Sequence, residues 1–199
     1  MQIEIAQEGP EQLDEYARVS IDFVVTDVFD ASAIEALSRG ENAQTARLSA
    51  PYRKDYDACV GERPTDWPAH FDVAGWVFLA AYLHDRRVGG AAVVMRDPNV
   101  ELLRHRSKTA LLWDIRVAPE TRHQGIGTRL LDAAQHVARE GGANRLLVET
   151  QHINVPACRF YQRHGFTLEA VAPHVYPELP QEVRLLWSKP IAMNSRPSG

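Results

Sequence analysis

The chain opens with MQIEIAQ, in which apolar and polar positions alternate, the period of a strand buried on one face. Helical spacing follows over residues 11–19 and 31–39, and Gly40 ends the second stretch. Residues 49–70 carry Pro51, Pro64 and Pro68 among scattered polar groups and read as a long loop. WVFLAAYLHD (76–85) and VGGAAVVMRD (88–97) are two apolar runs around a charged turn, which predicts a hairpin. Gly89 and Gly90 within the second run mark a bulge or a close backbone approach. After a polar loop over 98–108, TALLWDIRVA (109–118) is apolar almost throughout, as expected of a central strand.

The second half alternates strand and helix. From Thr128 to Glu140, Leu130, Leu131, Ala134, Val137 and Ala138 fall at helical spacing, and Gly141 and Gly142 stop the run. NRLLVETQ (144–151) reads as a buried strand. Asn154 then suits a helix cap and Pro156 the first helical position, with Ala157, Phe160, Tyr161 and His164 on one face and Gly165 as the stop. FTLEAVA and EVRLLWSK are late strands, and residues 190–199 read as a flexible tail. The order β, two helices, three strands, helix, strand, helix, two strands makes the chain α/β with a mixed sheet, an antiparallel run followed by βαβ crossings.

Composition narrows the class. A chain of 199 residues, 45% hydrophobic and 24% charged, has ordinary globular proportions. No apolar run approaches the ~18 residues of a membrane span, and the acidic N-terminus lacks a signal-peptide pattern, which places the protein in the cytoplasm. Cys59 and Cys158 have no metal or redox spacing. The net charge of −4 is uneven: residues 1–60 sum to −7 and residues 61–199 to +3. That division fits either solvated helix faces or an acidic half that attracts a cation beside a mildly basic half that holds an anion. It argues against a nucleic-acid partner, which needs a strongly basic face.

Two stretches carry the chemistry. RHQGIGT (122–128) lies between a strand and a helix, where backbone N–H groups and the helix dipole favour an anion. Gly125 and Gly127 allow close approach, and Arg122 adds a charge. Leu130 stands where a dinucleotide fingerprint needs its third glycine, and no lysine completes a P-loop. ETQHINVPACRFYQRHGF (149–166) gathers a carboxylate, histidines, a cysteine and a tyrosine. His152 and His164 lack partners at ligand spacing, so no metal is expected.

The pattern R-x-x-G-x-G in RHQGIGT, preceded by WDIRVAPET, resembles the pyrophosphate-binding loop of the GNAT superfamily of N-acetyltransferases. ACRFYQRHGF resembles the superfamily's second signature, a helix ending FY-x(3)-GF after a strand. The resemblance covers about residues 74–189, and ETQxINxxACxFY with VYPELPQEVRLLW is similar to bacterial streptothricin acetyltransferases, His152 standing where these often have Asp. It implies one N-acetyltransferase domain over 1–189: acceptor-side helices and loop over 1–70, an acyl-CoA-binding core over 74–189, and the tail beyond. The implied fold is a mostly antiparallel sheet with a V-shaped split between two parallel strands, 109–118 and 145–150, and helices on both faces.

The same resemblance implies acetyl-CoA as co-substrate. Its pyrophosphate would rest on Arg122, His123, Gln124, Gly125, Ile126, Gly127 and Thr128, and its pantetheine arm on the backbone of Ile115, Arg116 and Val117, with Asn154 and Tyr161 beside it. Aminolysis of a thioester needs a base for the amine, a donor for the developing oxyanion and a proton for the leaving sulfur. A backbone N–H near Val117 suits the oxyanion, Tyr161 is the expected acid and Glu149 the expected base, with Asp114 as its rival. Asp114 could equally bind the substrate cation or pair with an arginine. Cys158 reads as a packing residue, since direct transfer needs no thiol. Asp114, Glu149, His152 and Tyr176 are candidates for the acceptor, with Asp22, Asp27, Asp55 and Asp57 behind them. The expected reaction is acetylation of a primary amine on a small cationic molecule such as streptothricin, conferring antibiotic resistance, by a monomer or homodimer. The alternatives are a protein N-terminal or lysine acetyltransferase and a non-catalytic acyl-CoA-binding module.

Overall fold

The structure is a computed structural model that describes residues 2–191; the predicted tail from 192 onward lies outside them. Among the described residues nine strands and four α-helices succeed one another as β1 (Ile3–Glu8), α1 (Leu13–Ala17), β2 (Phe23–Val28), α2 (Ala31–Ser38), β3 (Ala46–Lys54), β4 (Val77–Leu83), β5 (Arg86–Val94), β6 (Thr109–Val117), α3 (Ile126–Glu140), β7 (Arg145–Gln151), α4 (Val155–Arg163), β8 (Thr167–Pro173) and β9 (Val183–Pro190). Seven strands form one mixed sheet in the order β1-β4-β5-β6-β7-β9-β8, mostly antiparallel, with β6 and β7 as its parallel pair; β2 and β3 form a separate two-stranded sheet. By their contacts the described residues fall into two units, 2–22 with 55–146 and 190–191, and 23–54 with 147–189.

In the first unit β1 pairs with β4, β4 with β5 and β5 with β6, all antiparallel. The strand β5 is buried from Val88 to Val94, which explains its unbroken apolar run. Of the two alternatives for its glycines, the close approach holds. A β-carbon on Gly89 would lie 2.8 Å from the Arg116 carbonyl and one on Gly90 2.5 Å from the Tyr16 ring, so only glycine lets these groups approach. The pairing also slips between Ala81↔Gly89 and Tyr82↔Arg87, leaving Val88 as the extra residue of a bulge. Helix α3 packs on β4, β5 and β6 through Leu130, Leu131, Ala134 and Ala138, all fully buried. Each of the two leucines contributes about 1.5–3 kcal/mol in removing its side chain from water. The helix starts two residues before the expected Thr128, with Gly125 as its cap. In place of the first predicted helix there is a short 3-10 turn over Pro10–Gln12 and then α1.

The second unit holds the main departures. The strands β2 and β3 pair antiparallel where the sequence suggested no strand and a loop. Most of β3, ARLSAPYRK, is exposed on both faces and contains Pro51, so it lacks the alternation that marks a half-buried strand. Helix α4 begins at Val155, one residue before Pro156, and Asn154 caps it by accepting from the Ala157 N–H at 3.2 Å. Its buried face is Val155, Cys158 and Tyr161. Of the four residues expected on that face only Tyr161 is buried; Ala157, Phe160 and His164 are half-exposed. Gly165 follows with φ 81°, the left-handed stop expected there.

Candidate active site

The loop 118–125 joins β6 to α3 in the first unit. Ala118 N–H bonds to the Val88 carbonyl at 2.8 Å and Thr121 N–H closes a turn onto the Ala118 carbonyl at 2.8 Å. His123 and Gly125 both take positive φ, 62° and 83°. Gly125 caps α3 with no side-chain bond, and a β-carbon there would meet nothing within 4 Å. The helix dipole therefore ends in open space, flanked by exposed His123 and Gln124 and half-buried Gly127 and Thr128, while Ile126 is buried beneath. The Arg122 Nε–H bonds to the Val117 carbonyl at 3.0 Å, which folds the guanidinium along the loop. Burial draws its pKa down while Asp22 and Glu120 oppose the shift, yet a guanidinium keeps its charge. A helix N-terminus whose cap makes no side-chain bond, with a cation on the glycine turn, is the donor set a pyrophosphate requires, so these residues fit the phosphate end of a coenzyme.

The strand β6 carries the rival base. Asp114 Oδ1 accepts from the Tyr16 hydroxyl at 2.6 Å and from Arg116 Nε at 2.9 Å, and its Oδ2 accepts from Arg116 Nη2 at 2.8 Å. Arg116, 2% exposed, also reaches Asp57 at 2.8 and 3.1 Å and the Val19 carbonyl at 3.1 Å. All five N–H donors of the guanidinium are thus engaged, and the Tyr16 ring lies under it at 5.1 Å. Burial opposes the arginine's charge, but Asp114, Tyr16 and Asp57 outweigh it and raise its pKa. The Asp114 carboxylate is tied to an arginine, one of the three fates open to it from sequence. Asp57 is spent on the same guanidinium; burial nevertheless keeps its pKa raised, against the pull of Arg116. Ile115 and Val117 flank Arg116, half-buried, paired with Ala91 and Gly89 of β5.

In the second unit the structure joins two candidates. Glu149 and Gln151 lie two residues apart on β7, hence on one face. Tyr176, between β8 and β9, donates to Glu149 Oε1 at 2.6 Å and accepts from Gln151 Nε2 at 3.1 Å. Burial, then the neighbouring Glu149 charge, pushes the phenol's pKa up, so it is a donor. Arg184 of β9 faces Glu149 Oε2 at 3.8 Å.

Tyr161 is 2% exposed, with its ring edge-on to Phe160 and to Phe166, each at 5.3 Å. Cys158 is fully buried, and burial pushes its thiol up to about 12. Its sulfur continues a chain in which Trp187 Nε1 donates to Thr150 Oγ1 at 2.8 Å, Thr150 Oγ1 meets Sγ at 3.3 Å and Sγ donates to the Gln151 carbonyl at 3.8 Å. That is the packing role expected of it. His152 serves the backbone: its Nδ1 accepts from Val183 N–H at 3.1 Å, its own N–H goes to the Val183 carbonyl at 3.0 Å, and its carbonyl accepts from Phe29 N–H at 3.1 Å. Burial lowers its pKa, against the nearby Glu182.

The remaining acidic candidates have local work. Asp22 bonds Ser20, Asp27 accepts from Thr26 at 2.6 Å, and Asp55 accepts from the Asp57 N–H at 3.1 Å. Sequence reading missed two features. One is the pair Lys54–Glu182 at 2.6 Å, with Glu182 2% exposed, which no spacing announces. The other is an aromatic cluster in the first unit in which Trp113, beside Asp114, meets Phe71 at 4.8 Å and Trp76 at 5.1 Å. Its members come from residues 67–78, from β6 and, through Tyr16, from α1; only the density of aromatics over 67–78 hinted at it. Among the described residues no group of three or more His, Cys, Asp or Glu is placed to hold a metal ion, and no helix is long and apolar enough to cross a membrane.

Residues 42–166 match the acetyltransferase (GNAT) family. The chain belongs to this family. As a GNAT protein it is an acetyl-CoA-dependent N-acetyltransferase, with acetyl-CoA as its co-substrate. It is 31% identical over 143 residues to streptothricin acetyltransferase A of Bacillus subtilis, covering 71% of this chain and 75% of that one. It is 28% identical over 181 residues to a streptothricin acetyltransferase of Escherichia coli, covering 89% and 91%. Its GNAT fold also matches a Bacillus anthracis protein solved with acetyl coenzyme A, at a TM-score of 0.73 and 23% identity, covering 96% of this chain and all of that one.

Proposed function

We propose that this GNAT enzyme acetylates a primary amine of a small cationic molecule, and that streptothricin is an acceptor. The observation that carries this reading is the 31% identity to streptothricin acetyltransferase A over 143 residues. Acetyl-CoA supplies the acetyl group as an activated thioester. The amides at the start of α3, with Arg122, hold the pyrophosphate. The Ile115–Val117 backbone pairs with the pantetheine amides, and an N–H near Val117 supports the carbonyl oxygen as it gains charge. Asn154, which caps α4, adds a contact to the same arm.

Glu149 takes the proton of the acceptor ammonium, which at a pKa near ~10 is charged at neutral pH. Tyr161 holds a phenol proton for the departing sulfur and recovers it from solvent. The engagement of both Asp114 oxygens by Tyr16 and Arg116 favours Glu149 over Asp114 as base. A buried thiol pushed up to about 12 supports direct transfer, because a cysteine nucleophile acts as its thiolate. The test is thiol release from acetyl-CoA across a panel of amines that includes streptothricin, spermidine and a peptide with a free N-terminus. Turnover of streptothricin with gain of one acetyl group is expected. Turnover of the peptide with none of streptothricin overturns the acceptor assignment.

A further inference from the structure

The expected base is gripped by a phenol that is itself gripped. The Tyr176 hydroxyl donates to Glu149 Oε1 at 2.6 Å, while Gln151 Nε2 donates to the phenol oxygen at 3.1 Å. With Gln151 occupying a lone pair of that oxygen, the phenol's one proton is left directed at Glu149. The Tyr176 backbone is fixed too, since its carbonyl accepts from the Leu179 N–H at 3.1 Å in the turn before β9. Among the charged and titratable groups that face Glu149 from neighbouring segments are Tyr176, between β8 and β9, and Arg184, from β9.

We propose that Tyr176 is a positioning residue: it aims the Glu149 carboxylate and keeps it ionised, and Gln151 aims Tyr176. This rests on the reading of Glu149 as base, and it replaces the sequence expectation that Tyr176 contacts the acceptor. A hydrogen bond to a carboxylate favours the charged form. A base that must strip an ammonium has to be ionised when the substrate arrives. A phenol suits the task because it stays protonated at any pH at which the enzyme works; burial and the Glu149 charge move its own pKa upward.

The experiment pairs two titrations of the intact enzyme. One follows the Glu149 side-chain carboxyl by carbon NMR in protein labelled at the glutamate Cδ, assigned by the resonance lost in Glu149→Gln. The other is the pH profile of kcat/KM for streptothricin, in which the acceptor's own ionisation is common to all variants. In Tyr176→Phe the carboxyl midpoint and the acid limb of the profile should both move up by about one pH unit, the size expected for losing one charge-assisted hydrogen bond. Activity on the acid limb then falls about tenfold at fixed pH and returns on the plateau. A midpoint unmoved in Tyr176→Phe overturns the role of Tyr176, whatever Glu149 does. A midpoint that moves while the acid limb stays, or an acid limb that survives in Glu149→Gln, overturns Glu149 as base instead. If Tyr176→Phe fails to fold by circular dichroism, Gln151→Leu frees the phenol to rotate and should move both readouts upward by less; no movement there refutes the proposal.

Discussion

Replacing Arg116 by methionine keeps the buried stem and removes only the guanidinium. Five hydrogen bonds of 2.8–3.1 Å disappear, four of them to Asp57 and Asp114 and one to the Val19 carbonyl. The loss exceeds that of a surface ion pair because the carboxylates stay behind: the Asp114 side chain is 7% exposed and that of Asp57 16%. Removing one partner of a buried ionic cluster costs about 3–5 kcal/mol. For a chain of this size that lowers the melting temperature by roughly 6–20 °C. The sign with pH follows from Asp57, whose folded pKa is already raised, burial being the largest cause. A raised carboxyl favours the fold below its unfolded pKa and loses that contribution as pH rises through the folded value. Taking Arg116 away removes the group that restrains the rise, so the gap between the two proteins widens from about pH 4 toward neutrality. Urea unfolding at pH 4.5, 6 and 7.5 with an unchanged m-value measures it. The triple change Arg116→Met, Asp57→Asn, Asp114→Asn should restore most of the loss, since it leaves no buried charge. A deficit below about 1 kcal/mol, the worth of a surface pair, or one independent of pH, would refute the reasoning.

Other outcomes follow from the same geometry. Tyr161→Phe should lower kcat about 100-fold with little change in coenzyme affinity by calorimetry, as for the loss of a general acid; a loss confined to coenzyme binding would make the residue a packing element. Cys158→Ala should keep kcat within a few-fold, and mass spectrometry of quenched reactions should reveal no acetylated enzyme. His152 has a lowered folded pKa, so its contribution to stability is present above about pH 6.5 and is lost as pH falls. His152→Asn can still accept from the Val183 N–H and should flatten that part of the urea midpoint between pH 7.5 and 5.5.

The sequence was most legible where one physical requirement acts along the chain. The close approaches at Gly89 and Gly90, the Asn154 cap and the stop at Gly165 were all anticipated, because each depends on a property few residues have: no β-carbon, a short side-chain acceptor, and tolerance of positive φ. β2 was less hidden than it looked: FVVTDV is rich in β-branched residues, a strand signal by propensity even without alternation. β3 had neither signal, since pairing with β2 holds it while most of its side chains face water.

The acidic N-terminal half illustrates why charge totals mislead about sites. Its carboxylates were read either as solvated groups or as a lure for a cation. In the structure Glu8 pairs with Arg87, Asp57 with Arg116, and Glu35 and Glu41 with Arg39, while Asp30 caps α2. Two of those arginines, Arg87 and Arg116, lie beyond residue 60, so the division there dissolves once the chain is folded. The carboxylate that matters for the proposed chemistry, Glu149, lies in the half that summed to a positive charge. What distinguishes it from Asp114 is the partner: an arginine that hydrogen-bonds both oxygens on one strand, and on the other a phenol on one oxygen with Arg184 at 3.8 Å from the second. Both residues stand on strands, Asp114 between Trp113 and Ile115 and Glu149 between Val148 and Thr150, and neither setting announces the carboxylate's partner. The distinction depends on Tyr16 and Tyr176, which lie 98 and 27 positions from their carboxylates. The resemblance had named Glu149 as base and Asp114 as its rival; the fold adds a physical ground for that preference.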